Sequence, residues 1–412
     1  MNRKLRSDAE KIINRSIKAV LPDEAVMKVL KNFACDSGKI VLVAAGKAAW
    51  QMADAAVKAL PRIDEGIVIT KYGHVKGNIK GIGCYEAGHP VPDENGFAAT
   101  KRALEMVEHL SAEDHVIFLL SGGGSALFEI PKIPGKELQD ITNQLLSSGA
   151  DIARINTIRK RLSAVKGGRF ALACAPAKVF TIVLSDIVGD PLDMIASGPA
   201  YPDSSTCEDA KRIAEKYGLK LSEDARQLLN EETPKELTNV ETYITGSVRE
   251  LCAAAAKACT DLGYRTEILT SELCCEAREG GEYLAETAKR HMTETGKMAF
   301  IAGGETVVHV TGKGKGGRNQ ELALSAAPLI AGLERSIAIF SVGSDGTDGP
   351  TDAAGGYVDT ETCAELAAKR ISISDVLADN DAYNALKESD GLIITGPTGT
   401  NVNDVAVVLL GE

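Results

Sequence analysis

Val116-Ile117-Phe118-Leu119-Leu120-Ser121-Gly122-Gly123-Gly124-Ser125-Ala126-Leu127-Phe128 decides the fold class. The five leading apolar residues are too few for an ordinary helix and read as a strand buried on both faces. The run then ends in three glycines between two serines, followed by a helix-compatible Ala-Leu-Phe. A strand that leaves through a glycine turn into a helix is the repeating unit of a parallel α/β sheet. Three glycines are entropically costly in a mere connector, and their N–H groups can form an anion nest.

The same rhythm extends outward from this segment. Short apolar runs at Ile40–Ala45, Gly66–Thr70, Val179–Leu184, Thr242–Thr245, Thr266–Leu269, Met298–Ala302, Thr306–Val310, Ile337–Val342 and Gly391–Thr395 read as further strands. Helical stretches lie between most of them: Ala48–Leu60, Glu94–Leu110, Val248–Leu262, Glu276–Met292 and Gln320–Ala331. Ser7–Phe33 reads as two amphipathic helices broken at Pro22, a helical segment over residues 1–36. The polar, Pro-containing stretch Asn230–Glu241 is the best domain boundary. The expected fold is α/β: two three-layer α/β/α domains, 1–235 and 236–412, facing each other across a cleft. The first is expected to be Rossmann-like with a mostly parallel sheet.

At 412 residues the chain is long enough for two such domains. It holds 46 Lys and Arg against 57 Asp and Glu, a formal net charge of −11, which disfavours bulk nucleic acid and anionic membrane as partners. Aromatics at 4% argue against stacking on single strands. The nine Cys form no CxxC pair, so reduced thiols in a cytoplasmic protein are expected and zinc is not. No signal peptide and no apolar run of membrane-spanning length is visible.

In parallel α/β sheets ligands sit beyond the carboxyl ends of the strands, so the strand exits carry the functional reading. Gly46-Lys47 follows the first strand and opens a helix; it is an anion grip or a surface lysine on a first turn. Ser121, Gly122, Gly123, Gly124 and Ser125 form the glycine cradle. Ser185-Asp186-Ile187-Val188-Gly189-Asp190 places Asp186 and Asp190 at a strand exit, where they suit a divalent cation, proton chemistry or a helix cap. The basic run Arg154–Arg169 reads mostly as a solvated helix face, with Asn156, Arg159 and Lys166 kept as ligand candidates. His89 in Gly88-His89-Pro90 is the one histidine in a rigid turn that could reach a pocket.

The densest signal is Gly312-Lys313-Gly314-Lys315-Gly316-Gly317-Arg318-Asn319-Gln320-Glu321. It partially matches two different phosphate-loop patterns, and what those share is amides, two Lys and Arg318 converging on a helix N-terminus. Next comes Gly343-Ser344-Asp345-Gly346-Thr347-Asp348-Gly349-Pro350-Thr351-Asp352. Three carboxylates on one loop repel unless a cation relieves them, which points to Mg²⁺. Cradles, cations and an acidic loop together suit phosphoryl transfer. A hydride-transfer reading leans on Gly312, Gly314 and Gly317 with Glu334, but Glu334 precedes a strand instead of ending one. A serine hydrolase lacks the last Gly of GxSxG at Gly123–Leu127.

The chain also resembles, over essentially its whole length, the class II glycerate kinases, a two-domain family whose C-terminal half is called the MOFRL domain. The strings that carry the resemblance are Ala45-Gly46-Lys47-Ala48, Gly88-His89-Pro90, Ser121–Leu127, Ile155–Lys160, Val165–Gly168, Ser185-Asp186, Gly189-Asp190, Ser197-Gly198-Pro199, Gly303-Gly304-Glu305-Thr306, Gly314–Glu321 and Asp345–Asp352. Arg161 departs from the family's pattern, where His is expected. The resemblance implies ATP- and Mg²⁺-dependent phosphorylation of D-glycerate, giving 2-phosphoglycerate. Some relatives carry the label hydroxypyruvate reductase, which keeps an NAD(P)H-dependent alternative open. Carried over, Lys47, Arg318, Asp345 and Asp348 would be catalytic. Gly46, Ser121 to Ser125, Asn156, Lys166, Glu305, Gly316, Gly317 and Asn319 would bind substrate or nucleotide. Asp186, Asp190, Asp345 and Asp352 would hold the metal. A homodimer is left open.

Overall fold

The structure is a computed structural model that describes residues 2–35, 37–185, 189 and 192–411. The chain forms two compact units. One is built on Pro22–Ser185 and extends to Thr245; the other takes Met1–Leu21 and the chain from Gly246 onward.

The sheet of the first unit consists of β1 (Ile40–Ala45), β2 (Glu65–Lys71), β3 (Ile82–Ala87), β4 (His115–Leu120), β5 (Lys178–Leu184) and β6 (Val240–Thr245). They lie in the order β3-β2-β1-β4-β5-β6, every pair parallel, the doubly wound order expected of a Rossmann-like domain. Burial on both faces explains the unbroken apolar runs. Leu42, Ala44, Ile117 and Leu119 pack with the helices Pro22–Leu30 and Ala49–Ala59. On the opposite face Phe118 meets Phe128 and Phe170 at ring-centroid distances of 5.3 and 4.6 Å. The winding reverses between β1 and β4, where Ala45 sits beside Leu120. The exits Gly46-Lys47 and Ser121–Ser125 therefore share the switch point at which such sheets bind ligands.

The second sheet is mixed. It comprises β7 (Arg265–Leu273), β8 (Met298–Gly304), β9 (Ile337–Gly343), β10 (Gly355–Asp359), β11 (Leu392–Ile393) and β12 (Asp404–Leu410), in the order β11-β10-β9-β12-β8-β7. Strand β12 runs antiparallel between β8 and β9. Its alternate residues Val405, Val407 and Leu409 join one core with Ile12, Leu251 and Phe340. Ala406, Val408 and Leu410 join the other with Leu284, Phe300 and Leu322. Each unit is thus an α/β domain.

The division of the chain differs from the expected 235/236 boundary in two ways. Strand β6 pairs with β5, so the first sheet continues to Thr245. The first helix, Arg3–Ala19, buries Ile12, Ile13 and Ile17 against Leu251, Ala255 and Cys259 of the second unit. Its apolar face had to be covered, but position in the chain does not say by what. Thr306–Val310 is not a strand: β8 ends at Gly304 with φ +156°, only Val307 makes an isolated bridge, to Glu276, and Val310 is 76% exposed.

The basic run is not a solvated face. In helix Ile152–Leu162, Lys160 and Arg161 are buried. Arg161 donates to Asp203 Oδ2 (2.6 Å), Thr233 Oγ1 (3.2 Å), the Ser205 carbonyl (2.6 Å) and Glu232 Oε2 (3.4 Å). Lys160 adds a 3.1 Å bond to Asp203. Arg161 therefore clasps two separate segments, 203–205 and 232–233, to its own helix, which gives the departure from the family's His a structural role. Burial alone would raise Asp203, but Lys160 and Arg161 outweigh it and hold the carboxyl well below its usual range. A carboxylate depressed in the fold contributes stability above its unfolded pKa and loses it as pH falls. Arg161→Ala is expected to destabilise the first unit by about 3–5 kcal/mol at neutral pH, as loss of one partner of a buried pair does. Denaturant melts should also show a shallower loss of stability below pH ~4 than in the parent.

Candidate functional site

In the first unit the loop after β1 is laid on the loop after β4. The Lys47 amide donates to the Gly122 carbonyl at 2.8 Å and the Ala48 amide to Ser121 Oγ at 3.0 Å. Gly123 has φ +87°, and a side chain there would meet the His89 ring at 3.0 Å and Lys47 Cγ at 3.3 Å. Glycine is thus required by both conformation and space. The Lys47 side chain is exposed and makes no ion pair among the described residues. Burial holds the His89 imidazole low, with Lys47, Lys71 and His74 adding to the effect, which favours its neutral form. Ser125 Oγ lies 3.1 Å from Ser197 Oγ, which donates to Asn156 Oδ1 at 2.9 Å. Ala196 and Ser197 have φ of +51° and +61°, a conformation non-glycine residues rarely hold. Lys47, His89, Ser121 to Ser125 and Asn156 are brought together.

Lys166 is not a ligand-facing cation. It is fully buried, and its amine donates to the carbonyls of Phe128 (3.0 Å) and Ala196 (3.2 Å), with Glu129 Oε2 at 3.6 Å. Burial pushes it down to about 8, with Glu129 opposing. Its place is behind the site, holding the strained 196–198 turn. Asp186 and Asp190 lie outside the described residues.

In the second unit, the antiparallel β12 places Asp404 opposite both Gly304 of β8 and Gly343 of β9. The starts and ends of three strands thereby meet. Arg318, first residue of helix Arg318–Ile330, donates through Nε and Nη2 to the two Asp404 oxygens at 2.6 and 3.1 Å, and through Nη1 to Glu305 at 2.9 Å. Burial would lower the guanidinium, but Asp404 and Glu305 outweigh it and raise it. The sequence pointed to Arg318 as a free phosphate-facing cation; it is instead a positioned one. Glu305, about half exposed, is the partner an incoming anion would compete with.

The glycine run is explained largely by packing. Amides of Gly312, Lys313 and Lys315 donate to the side chains of Asn380, Asp379 and Asp381, and Gly314 to the Asp379 carbonyl, at 2.8–2.9 Å. A side chain at Gly312 or Gly314 would strike that turn at 2.2–2.4 Å. Nor is the helix N-terminus open. Asp348 accepts from the amides of Asn319 (3.2 Å) and Gln320 (2.9 Å), and from Gln320 Nε2 (2.9 Å), capping the helix from a distant loop. Gly317 is where that carboxylate would collide with any side chain, at 2.3 Å.

The acidic loop resolves its own repulsion without a shared ion. Asp348 is buried on the helix end, and exposed Asp352 accepts from the Tyr383 hydroxyl at 2.7 Å. Asp345 accepts from the Thr347 amide at 3.0 Å. The described residues contain no group of three or more His, Cys, Asp or Glu able to hold a metal. Among the described residues Asp345 and Asp352 are not gathered with a third such ligand, and the other two members of the expected Mg²⁺ set, Asp186 and Asp190, lie outside those residues. Asp404 and Glu129 escaped the sequence reading. Asp404 begins a strand, and attention to strand exits passes over a start that an antiparallel neighbour carries to the same place.

Burial pushes the Asp348 carboxyl up to about 6, the Asp404 charge adding to it while the Gln320 and Asn319 donors oppose. A carboxyl raised in the fold stays protonated after the unfolded chain has ionised, so its ionisation lowers stability as pH rises from about 4 through 6. Asp348→Asn lacks that ionisation. Its stability relative to the parent should improve across this window by about 1–3 kcal/mol, measured by urea melts at stepped pH. A constant difference between the two proteins would place the ionisation elsewhere.

Comparison with known proteins gives a consistent result. Residues 8–230 match a family described as a domain of unknown function, DUF4147, and residues 298–404 match the MOFRL family. The chain is 52% identical to a D-glycerate 2-kinase of Thermotoga maritima, with 98% of each chain covered. It is 41% identical to a glycerate 2-kinase of Pyrococcus horikoshii, covering 98% of this chain and 97% of the relative. The crystal structure of the Thermotoga maritima glycerate kinase superposes with a TM-score of 0.95 over 99% of both chains. With the doubly wound first unit and the Arg318 cluster of the second, these likenesses establish that the chain belongs to the MOFRL-containing glycerate kinase family of phosphotransferases.

Proposed function

We propose that the protein phosphorylates D-glycerate at its 2-hydroxyl with ATP, giving 2-phosphoglycerate and ADP. The observation that carries the reading is Lys47: an exposed amine at the β1 exit, without an ion-pair partner among the described residues, held beside the glycine cradle at the switch point of the first sheet. The two glycerate 2-kinases to which the chain is similar support the choice of substrate and hydroxyl.

In this reaction the glycerate hydroxyl oxygen forms a bond to the γ-phosphorus as the bond to the β-phosphate oxygen breaks. The hydroxyl proton passes to a base, and charge spreads over the transferring oxygens. Lys47 meets that charge, with Gly46 and the amides of Gly122, Gly123 and Ser125 lining the anion site, Ser121 and Gly124 shaping the cradle through their own backbone bonds, and Asn156 fixing its hydroxyls. Arg318 serves as a preorganised guanidinium whose direction is set by Asp404 within its own unit. Gly316, Gly317 and Asn319 shape the turn that carries it. Asp345 is the carboxylate of the acidic loop left for proton transfer, since Asp348 is committed to the helix end.

Magnesium supplies charge neutralisation to a triphosphate. The described carboxylates do not fit a resident ion: Asp404 and Glu305 are committed to Arg318, and Asp352 to Tyr383. The cation is therefore assigned to the nucleotide it accompanies. Among the described residues no helix is long and apolar enough to cross a membrane.

Incubation with D-glycerate, ATP and Mg²⁺ should release ADP, and phosphorus NMR should show the 2-phosphate ester. NAD(P)H oxidation by hydroxypyruvate without ADP release would replace the reading by a reductase. Arg318→Ala should lower turnover by at least ~10²-fold, the scale of one lost charge-stabilising donor.

A further inference from the structure

Among the described residues Arg159 is a cation without a counter-ion. It stands three residues after Asn156 on helix Ile152–Leu162, so both side chains leave the same face. Its one hydrogen bond is long, Nη2 to the Ser125 carbonyl at 3.5 Å, and its Nε is shut off from water with no acceptor. No carboxylate of the described residues lies within ion-pair distance of it. Among the described residues the nearby anion is Glu129, which faces Lys166 at 3.6 Å and whose own oxygens make no hydrogen bond.

The local charge count is therefore unbalanced. Among the described residues Lys166 and Arg159 face one carboxylate, Glu129, an excess of one positive charge, and Lys47, which makes no ion pair among them, adjoins the same 121–125 loop. This excess occurs in a chain whose net charge is −11. A half-buried guanidinium with idle donors is costly unless something supplies acceptors. Five N–H donors in a planar fork match the two coplanar oxygens of a carboxylate. Beside the fork, Ser125 and Asn156 are held by Ser197, oriented to meet hydroxyls.

We propose that Arg159 receives the carboxylate of the acceptor substrate, with Ser125 and Asn156 flanking it, so that Lys47 is left for the transferring phosphoryl group. This rests on the glycerate-kinase reading above. It makes Arg159 the residue that distinguishes a hydroxy acid from an uncharged polyol, a task Lys166 cannot perform from its buried position.

The test is steady-state kinetics of Arg159→Met and Arg159→Lys with each substrate varied in turn, beside thermal melts with and without D-glycerate. Arg159→Met should raise KM for D-glycerate by ~10–100-fold, the weight of a charged hydrogen-bonded pair. KM for ATP should stay within about twofold. Arg159→Lys, which keeps the charge but not the fork, should fall between and carries the test if the methionine variant does not fold. D-Glycerate should raise the melting temperature of the parent and not that of Arg159→Met. An unchanged KM for D-glycerate overturns the proposal, as does a rise confined to ATP, which would make Arg159 a nucleotide-phosphate seat. A parent enzyme that releases no ADP with D-glycerate would instead remove the underlying reading.

Discussion

The pairing of Arg318 with Asp404 is the contact on which the chemistry proposed for the second unit depends. An arginine at a helix start is ordinarily a mobile, solvated group. Here two of its nitrogens close on both oxygens of a buried carboxylate, so the guanidinium plane is fixed before any ligand arrives. That costs desolvation of both charges, which the bidentate geometry offsets. The third contact, to half-exposed Glu305, is the replaceable one. Electrostatic stabilisation of a transition state requires such prior orientation, because a group that must reorganise during the reaction gives back much of what it contributes.

Strand topology makes this pairing available. In the first sheet all exits point one way, so Gly46-Lys47 and Ser121–Ser125 meet by the ordinary rule of parallel α/β folds. In the second, β12 enters antiparallel between β8 and β9, and its first residue joins their ends. Two different sheet logics thus produce functional loops in the two units.

This difference also explains what could be read in advance. The buried strands β1, β4, β5, β8 and β9 are continuous apolar runs, and Gly46, Lys47 and Ser121–Ser125 follow them directly. Half-exposed β3 and glycine-led β10 have no such run, and the site role of β12 depends on its direction, which is not written in its residues. Burial of charge was the harder matter. Lys160, Arg161 and Lys166 look in sequence like a solvated basic face, yet their partners, Asp203, Thr233, Glu232, Glu129 and the Phe128 and Ala196 carbonyls, come from segments up to 72 residues away. Likewise, the aspartates of the 345–352 loop call for a shared cation only while their true partners, the Asn319 and Gln320 amides and Tyr383, are out of view.

The most direct test of the central claim is a double-mutant cycle on the Arg318–Asp404 pair, reading kcat with saturating D-glycerate and ATP. If Asp404 acts only by aiming Arg318, then Asp404→Asn will lower kcat severely in the parent and have little further effect in Arg318→Ala, the two losses being far from additive. Losses that multiply independently would show that Asp404 and Arg318 act apart, and the preorganised guanidinium would no longer explain the activity.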